Sequence, residues 1–164
     1  MIRLAGMEDL SGVVAIAKKA TKLMNEEGSD QWNEEYPTLH HFAQDIKKKS
    51  LYVYVEERIE GFIVINQEFA KEYHQLSWRH LDTDSITLHR LAVDPTVRNK
   101  GIAETLFRFA ETEALNQQLK SIKIDTYSLN TKAQKLFQKL GYSQVGELQT
   151  EAREEPFFYY EKAI

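Results

Sequence analysis

Apolar residues recur at two different spacings along the chain, and the switches between them lay out the elements. Ile2 to Ala5 reads as a short strand. Leu10, Val13, Val14, Ala17, Thr21 and Met24 then repeat at helical spacing, which predicts a helix with one buried face from about Glu8 to Glu26. Gly28 stops it, and residues 29–37 form a polar loop that carries two large aromatics, Trp32 and Tyr36. Thr38 is placed to cap a second helix, with Phe42 and Ile46 on its inner face. Leu51 to Glu56 and Ile59 to Asn66 are rich in β-branched and aromatic residues and flank a Glu57-Arg58 turn, the pattern of a hairpin.

From Gln67 to Asp84 the periodicity is lost. Phe69, Tyr73, Trp78 and Leu81 lie scattered among charges, so no element is predicted, and a loop of this length is usually functional or mobile. Ser85 to Val93 resumes as a strand, and Gly101 to about Asn116 is a helix burying Ile102, Leu106, Phe109 and Ala110. A strand over Ser121 to Thr126 follows, then a helix from Asn130 to Leu140 that turns Ala133, Leu136, Phe137 and Leu140 inward and ends at Gly141. Tyr142 to Leu148 and Pro156 to Glu161 close the chain as strands. A strand-helix-strand unit from Ser85 to Thr126 implies a parallel pair with a right-handed crossover, whereas the hairpins require antiparallel neighbours. The expected architecture is α/β: a mixed, mainly antiparallel sheet with one parallel pair and helices on both faces.

Composition narrows the chemistry. With 164 residues, 42% hydrophobic and 28% charged, no linker and no repeat, the chain is expected to fold as one domain over residues 1–164. Cysteine is absent, which excludes disulfides, thiolate metal sites and a thioester on the protein; no metal is expected. A net charge of −4 argues against a nucleic-acid partner, and Lys47 to Lys49 reads as a solvated helix end. No apolar run is long enough for a signal peptide or a bilayer span, so a soluble cytoplasmic protein without a membrane partner is expected.

The candidate chemistry concentrates between His89 and Ala103. A strand ending in Leu91-Ala92-Val93, a turn at Asp94-Pro95 and a glycine-marked helix entry aim unpaired backbone N–H groups and the positive end of a helix dipole at one point. Arg98 and Lys100 add positive charge, and Gly101 permits close approach, so the expected guest is a phosphate or pyrophosphate. No GxxxxGK motif is present, and Gly101 stands alone where a dinucleotide fingerprint needs GxGxxG. What remains is Arg98-x-x-Gly101-x-Ala103 behind Leu91-Ala92-Val93-Asp94-Pro95.

That segment resembles motif A of the GCN5-related N-acetyltransferase (GNAT) family, whose signature is Q/R-x-x-G-x-G/A. Asn130-x-x-Ala133-x-x-Leu136-Phe137-x-x-Leu140-Gly141-Tyr142 is similar to the family's next motif, and the order of elements matches over essentially the whole chain. The resemblance implies the acyl-CoA N-acyltransferase fold, in which the parallel strands splay apart. It implies acetyl-CoA as co-substrate, with its pyrophosphate on the amides of Arg98, Asn99, Lys100, Gly101, Ile102 and Ala103 and its pantetheine paired with Leu91, Ala92 and Val93. Asn130 would hydrogen-bond the cofactor, serve as a helix N-cap, or do both.

The reaction implied is direct attack of a primary amine on the thioester in a ternary complex, with a small-molecule amine as acceptor. The alternatives are acetylation of a protein or peptide and an acyl-CoA sensor without turnover. His89 is the candidate general base, because a histidine ordinarily titrates near working pH; Glu56, Glu57 and Glu68 are rivals. Phe137 stands where many members carry the tyrosine that protonates the thiolate. Tyr142 is then the candidate acid, with Tyr127 and solvent as alternatives. Trp32 and Tyr36, beside Glu34 and Glu35, would wall an acceptor cation or simply pin their loop to the core. Homodimers are common in the family.

Overall fold

The computed structural model describes residues 1–97 and 100–164. Its elements in chain order are β1 (Ile2–Leu4), α1 (Leu10–Glu26), α2 (Leu39–Lys47), β2 (Leu51–Val55), β3 (Ile59–Asn66), β4 (Ser85–Val93), α3 (Ile102–Asn116), β5 (Ser121–Tyr127), α4 (Thr131–Lys139), β6 (Ser143–Leu148) and β7 (Phe157–Ala163). The strands form a seven-stranded sheet of order β1-β2-β3-β4-β5-β7-β6. It is mostly antiparallel, with β4 and β5 as the parallel pair, Ser85, Ile86 and Thr87 lying opposite Ser121, Ile122 and Lys123. The mixed sheet and the hairpin of β2 and β3 are as the sequence predicts. The unassigned stretch holds two 3₁₀ turns, Lys71–Gln75 and Asp82–Asp84, whose short period gives no amphipathic signature.

The chain divides into two compact units, Met1–Ile65 with His89–Ala110 and Asn66–Leu88 with Glu111–Ile164, so the division falls inside β4 and inside α3. In the first unit, period-two alternation sends Leu51 and Val53 of β2 into a core with Val13, Ile16, Ala17, Trp32, Phe42 and Phe62. Tyr52 faces the other way and meets Phe109 of α3 edge-on, ring centroids 5.0 Å apart. Arg3 of β1 is tied to the start of α1 by two bonds to Asp9, at 2.7 and 3.1 Å, and the Gly6 amide donates to the same carboxylate at 2.8 Å. A side chain at Gly61 would meet Ile102 at 3.1 Å and the Ala92 carbonyl at 3.2 Å. This glycine therefore lets β3 lie close to both the end of β4 and the first turn of α3.

In the second unit β5 pairs antiparallel with β7 along its full length, from Ser121 opposite Ala163 to Tyr127 opposite Phe157, and β6 covers the far edge of β7. Asn130 caps α4, its Oδ1 accepting the Ala133 amide at 3.2 Å. Gly141 at φ +92° ends that helix, and the Tyr142 amide returns to the Phe137 carbonyl at 2.9 Å.

Candidate active site

The first unit carries the strand-turn-helix junction. Within β4 the regular alternation breaks at Arg90, whose φ of +23° is foreign to a strand and to most L-residues. Such a break bends a strand, and the parallel register of β4 with β5 covers Ser85 to Thr87, before it. The conformation is held by a side-chain network: Nε and Nη2 of Arg90 donate to Asp45 of α2 at 2.7 and 2.6 Å, and Nη1 donates to the Tyr36 hydroxyl at 3.0 Å. Burial works against the guanidinium charge, yet Asp45 and Tyr36 together hold it above its ordinary value. His89 is the half-buried residue immediately before this network.

Beyond β4 the turn is shaped by Asp94, which is buried and accepts the Thr96 amide at 2.9 Å and the Thr96 hydroxyl at 2.8 Å, while its own amide donates to the Glu60 carbonyl at 2.8 Å. Burial raises its pKa, but the Thr96 donors, Lys19 and Arg58 outweigh that and hold the carboxyl below the usual range. Of the residues predicted to cradle the anion, Arg98 and Asn99 lie outside the described residues. Lys100 places its ammonium 3.5 Å from Glu60. Gly101 has φ +62°, and among the described residues nothing lies within 4 Å of an added Cβ, so glycine here answers a backbone requirement. Ile102 and Ala103 open α3, where the first-turn amides have no intrahelical acceptor.

The Trp32 loop belongs to the same unit. Asn25 at the end of α1 donates to the carbonyls of Ser29 and Trp32 at 2.9 and 3.0 Å, and Asn33 Oδ1 accepts the amides of Glu35 and Tyr36. Trp32 is 5% exposed within the apolar core, so its ring does pin the loop. Tyr36 is half-buried and brings its hydroxyl to Arg90, next to His89. Glu56, Glu57 and Glu68 are all exposed; Glu56 accepts from Tyr54 and Glu68 from Asn66.

Asn130 and Tyr142 belong to the second unit. Tyr142 is 4% exposed and lies in an aromatic group with Phe137, 6.0 Å between centroids, while Phe137 meets Tyr160 at 5.2 Å. A polar grouping that the sequence did not announce lies in this unit as well. The Tyr73 hydroxyl donates to Asp125 Oδ1 at 2.6 Å, and Tyr73 stacks on Trp78 and meets Tyr159 edge-on. Burial, and then the charge of Asp125, push the Tyr73 phenol well up, so Tyr73 remains a neutral donor. Burial likewise raises Asp125, against the Tyr73 bond and with the help of Glu72. The only signal available beforehand was the presence of three aromatics in an otherwise polar segment.

Comparison with known proteins bears on the family and the fold. The model of the acetyltransferase (GNAT) family matches residues 17–142. The uncharacterized N-acetyltransferase YesJ of Bacillus subtilis is 21% identical over 142 residues, 85% of this chain and 79% of that protein. A streptothricin acetyltransferase of Escherichia coli is 35% identical over 63 residues, 38% of this chain and 36% of its own. Among solved structures, a proposed acetyltransferase of Staphylococcus aureus Mu50 is 33% identical with a TM-score of 0.77, covering 99% of this chain and 98% of that one. A GNAT-family acetyltransferase of Streptococcus agalactiae shares the fold at 24% identity and a TM-score of 0.83, over 100% of this chain and 95% of that one. The chain belongs to the GNAT family of acetyltransferases.

Proposed function

We propose that this enzyme transfers the acetyl group of acetyl-CoA to the primary amine of a small molecule, by direct attack within a ternary complex. The observation that carries the reading is the junction at the end of β4, where Gly101 at φ +62° opens a helix N-terminus and an added Cβ would meet no atom of the described residues within 4 Å. The amides of residues 98–103 would hold the pyrophosphate of acetyl-CoA, since aligned N–H groups and the helix dipole favour a dianion there. The peptide groups of Leu91, Ala92 and Val93, released from strand alternation by Arg90, would pair with the pantetheine amides as an added strand does. One N–H of that strand would donate to the oxygen that gains charge as the amine nitrogen attacks. His89 would take the proton the amine loses; the N–C bond forms, the C–S bond breaks, and the departing thiolate is protonated by Tyr142 or by water. Asn130, already capping α4, would offer its amide N–H₂ to the same cofactor.

A small-molecule acceptor is favoured by the 63-residue match to a streptothricin acetyltransferase, at 35% identity. On the acceptor side Tyr36 would contact the amine, and Trp32 would hold the Tyr36 loop in place. Incubating the protein with acetyl-CoA, an amine panel and a thiol reagent tests the reading. CoA release that depends on a small amine is expected. Saturable acetyl-CoA binding without release would indicate a sensor, and release only with peptides would indicate a protein-modifying enzyme.

A further inference from the structure

β5 carries Lys123 and Asp125 on one face, two positions apart, and the segment between Asn66 and Ser85 meets both. Lys123 is a buried charge with a counter-charge and two aromatic faces at hand. Its side chain is 1% exposed, its ammonium lies 2.7 Å from Asp82, and the rings of Trp78 and Phe69 sit 5.0 and 5.4 Å from it. The chain has here enclosed an ammonium between a carboxylate and two aromatic faces, an arrangement that compensates a desolvated cation.

Asp125, two positions along the same face, is half-buried and has no cation of its own among the described residues. Its Oδ1 accepts from the Tyr73 hydroxyl at 2.6 Å, and that hydroxyl lies 3.5 Å from Thr87 Oγ1. Its other oxygen accepts no hydrogen bond from a described residue, and among the described residues no lysine, arginine or histidine pairs with it. Tyr159 lies opposite it on β7, and Tyr73, which bonds it, stacks on Trp78 at 5.0 Å, with Tyr159 edge-on to the two rings at 5.4 and 6.3 Å. Asp125 is half-buried, so its unbonded Oδ2 stays open to a partner from solution, and a partly desolvated carboxylate with no counter-charge is the kind of group to which a ligand supplies the missing charge. The Tyr73 donor fixes the orientation of Oδ1 and leaves Oδ2 for a partner. The neighbouring Lys123 arrangement shows which partner this chemistry takes.

We propose that Asp125, oriented by Tyr73 and lying opposite Tyr159, anchors a cationic nitrogen of the acceptor, with the Tyr73–Trp78 stack beside it. The acceptor class is therefore small amines that arrive as ammonium ions. This rests on the acetyltransferase reading above for its role in turnover, and it assigns acceptor specificity to the segment that supplies Tyr73 and Trp78.

The test is a solution titration of the full chain, uniformly labelled with ¹⁵N. The indole N–H of Trp78, which donates to the Tyr73 carbonyl at 2.7 Å, is the reporter and is assigned by its loss in Trp78→Phe. The probes are butylamine hydrochloride and 1,4-diaminobutane, with butan-1-ol as a neutral control of similar length. Saturable shifts with the amines and none with the alcohol are expected. Asp125→Asn should weaken amine binding at least tenfold, and Tyr73→Phe, which keeps the ring, several-fold. The proposal is overturned by an absent amine response in the wild type, by an equal response to butan-1-ol, or by undiminished affinity in a folded Asp125→Asn or Tyr73→Phe chain. Calorimetry with acetyl-CoA on the same samples keeps the two readings apart. Acetyl-CoA binding with no amine effect of Asp125→Asn removes the anchor alone, whereas amine binding without acetyl-CoA binding removes the transferase reading alone.

Discussion

Replacing Asp45 with alanine should cost far more than deleting an ordinary surface carboxylate. Both oxygens of Asp45 are engaged by Arg90, at 2.7 and 2.6 Å, and the two side chains are only 7% and 15% exposed. Removing one member of a buried pair strands the charge of the other, which costs about 3–5 kcal/mol. Water reaches part of Arg90, so the lower end applies, about 3 kcal/mol. For a chain of this length each kcal/mol lowers the melting midpoint by about 2–4 °C, so Asp45→Ala should melt roughly 6–12 °C below wild type. Removing the stranded charge as well should recover part of the loss. Asp45→Ala with Arg90→Ala is therefore expected to be more stable than the sum of the single changes implies, with a coupling of about 2 kcal/mol. Arg90→Gly should lose less than Arg90→Ala by about 1 kcal/mol, because glycine tolerates φ +23° and alanine does not. Thermal and urea denaturation of the four members of the cycle and of Arg90→Gly, followed by circular dichroism, measure these quantities. Additivity within about 0.5 kcal/mol would show that the pair does not hold the β4 irregularity, and the account of His89 and Tyr36 as neighbours of a rigid bend would fall with it.

Gly101→Ala places a Cβ where no atom of the described residues lies within 4 Å but forces an L-residue into φ +62°, a cost of about 1–2 kcal/mol, and it crowds the approach to the helix amides. Its KM for acetyl-CoA should rise at least tenfold while the amine KM stays put, and steady-state kinetics with each substrate varied would show the split. His89→Ala should lower kcat and move the acidic limb of the pH–rate profile; an unmoved limb would eliminate the base role. Trp32→Ala should raise the acceptor KM without altering CoA affinity if the ring touches substrate, whereas a large drop in melting temperature alone would leave it as the core residue its 5% exposure describes. Burial raises Asp125 above its unfolded value, near 3.9, so the folded chain keeps that proton over a window where the unfolded chain has lost it. Its contribution to stability falls as pH climbs through that window. Asp125→Asn should gain on wild type as pH rises from about 4 and hold a constant lead above the folded pKa, and urea midpoints that stay parallel from pH 4 to 8 would contradict this.

The features legible in the sequence share one property, which is that their causes lie within a few residues of them. Asn130 and Gly141 bound α4 because a cap and a left-handed terminus are satisfied locally, and both stand where the sequence places them. Thr38 likewise opens α2, with the Thr38 amide donating to His41 Nδ1 at 2.9 Å. Arg90 is a different case. Its partners lie 45 and 54 positions away in α2 and the Trp32 loop, and nothing in the local pattern marks it as other than a strand residue. Lys123 and Asp125 alternate with Ile122 and Ile124 and so imitate a strand with one wet face, yet Lys123 is as buried as the isoleucines. The segment that covers it is fastened by remote acceptors, the Arg79 and His80 amides both donating to Glu161 of β7. A segment held that way has no reason to show a period.

The same distinction separates donor from acceptor chemistry. A pyrophosphate is gripped by backbone N–H groups, and the needs of such a grip are a tolerated φ at one glycine, a helix that starts on time and a strand that leads into it. All of these can be written in consecutive residues, and here they fall between His89 and Ala103. An ammonium is gripped by side chains whose positions depend on where distant elements pack. The proposed anchor takes Asp125 from β5, Tyr159 from β7 and Tyr73 and Trp78 from the covering segment, residues spread over more than half of the chain. Motif reading reaches the first kind of site directly. It reaches the second only after folding has brought the Asp125 carboxylate to Tyr73 and Tyr159, without the cation that Asp82 already has among the described residues.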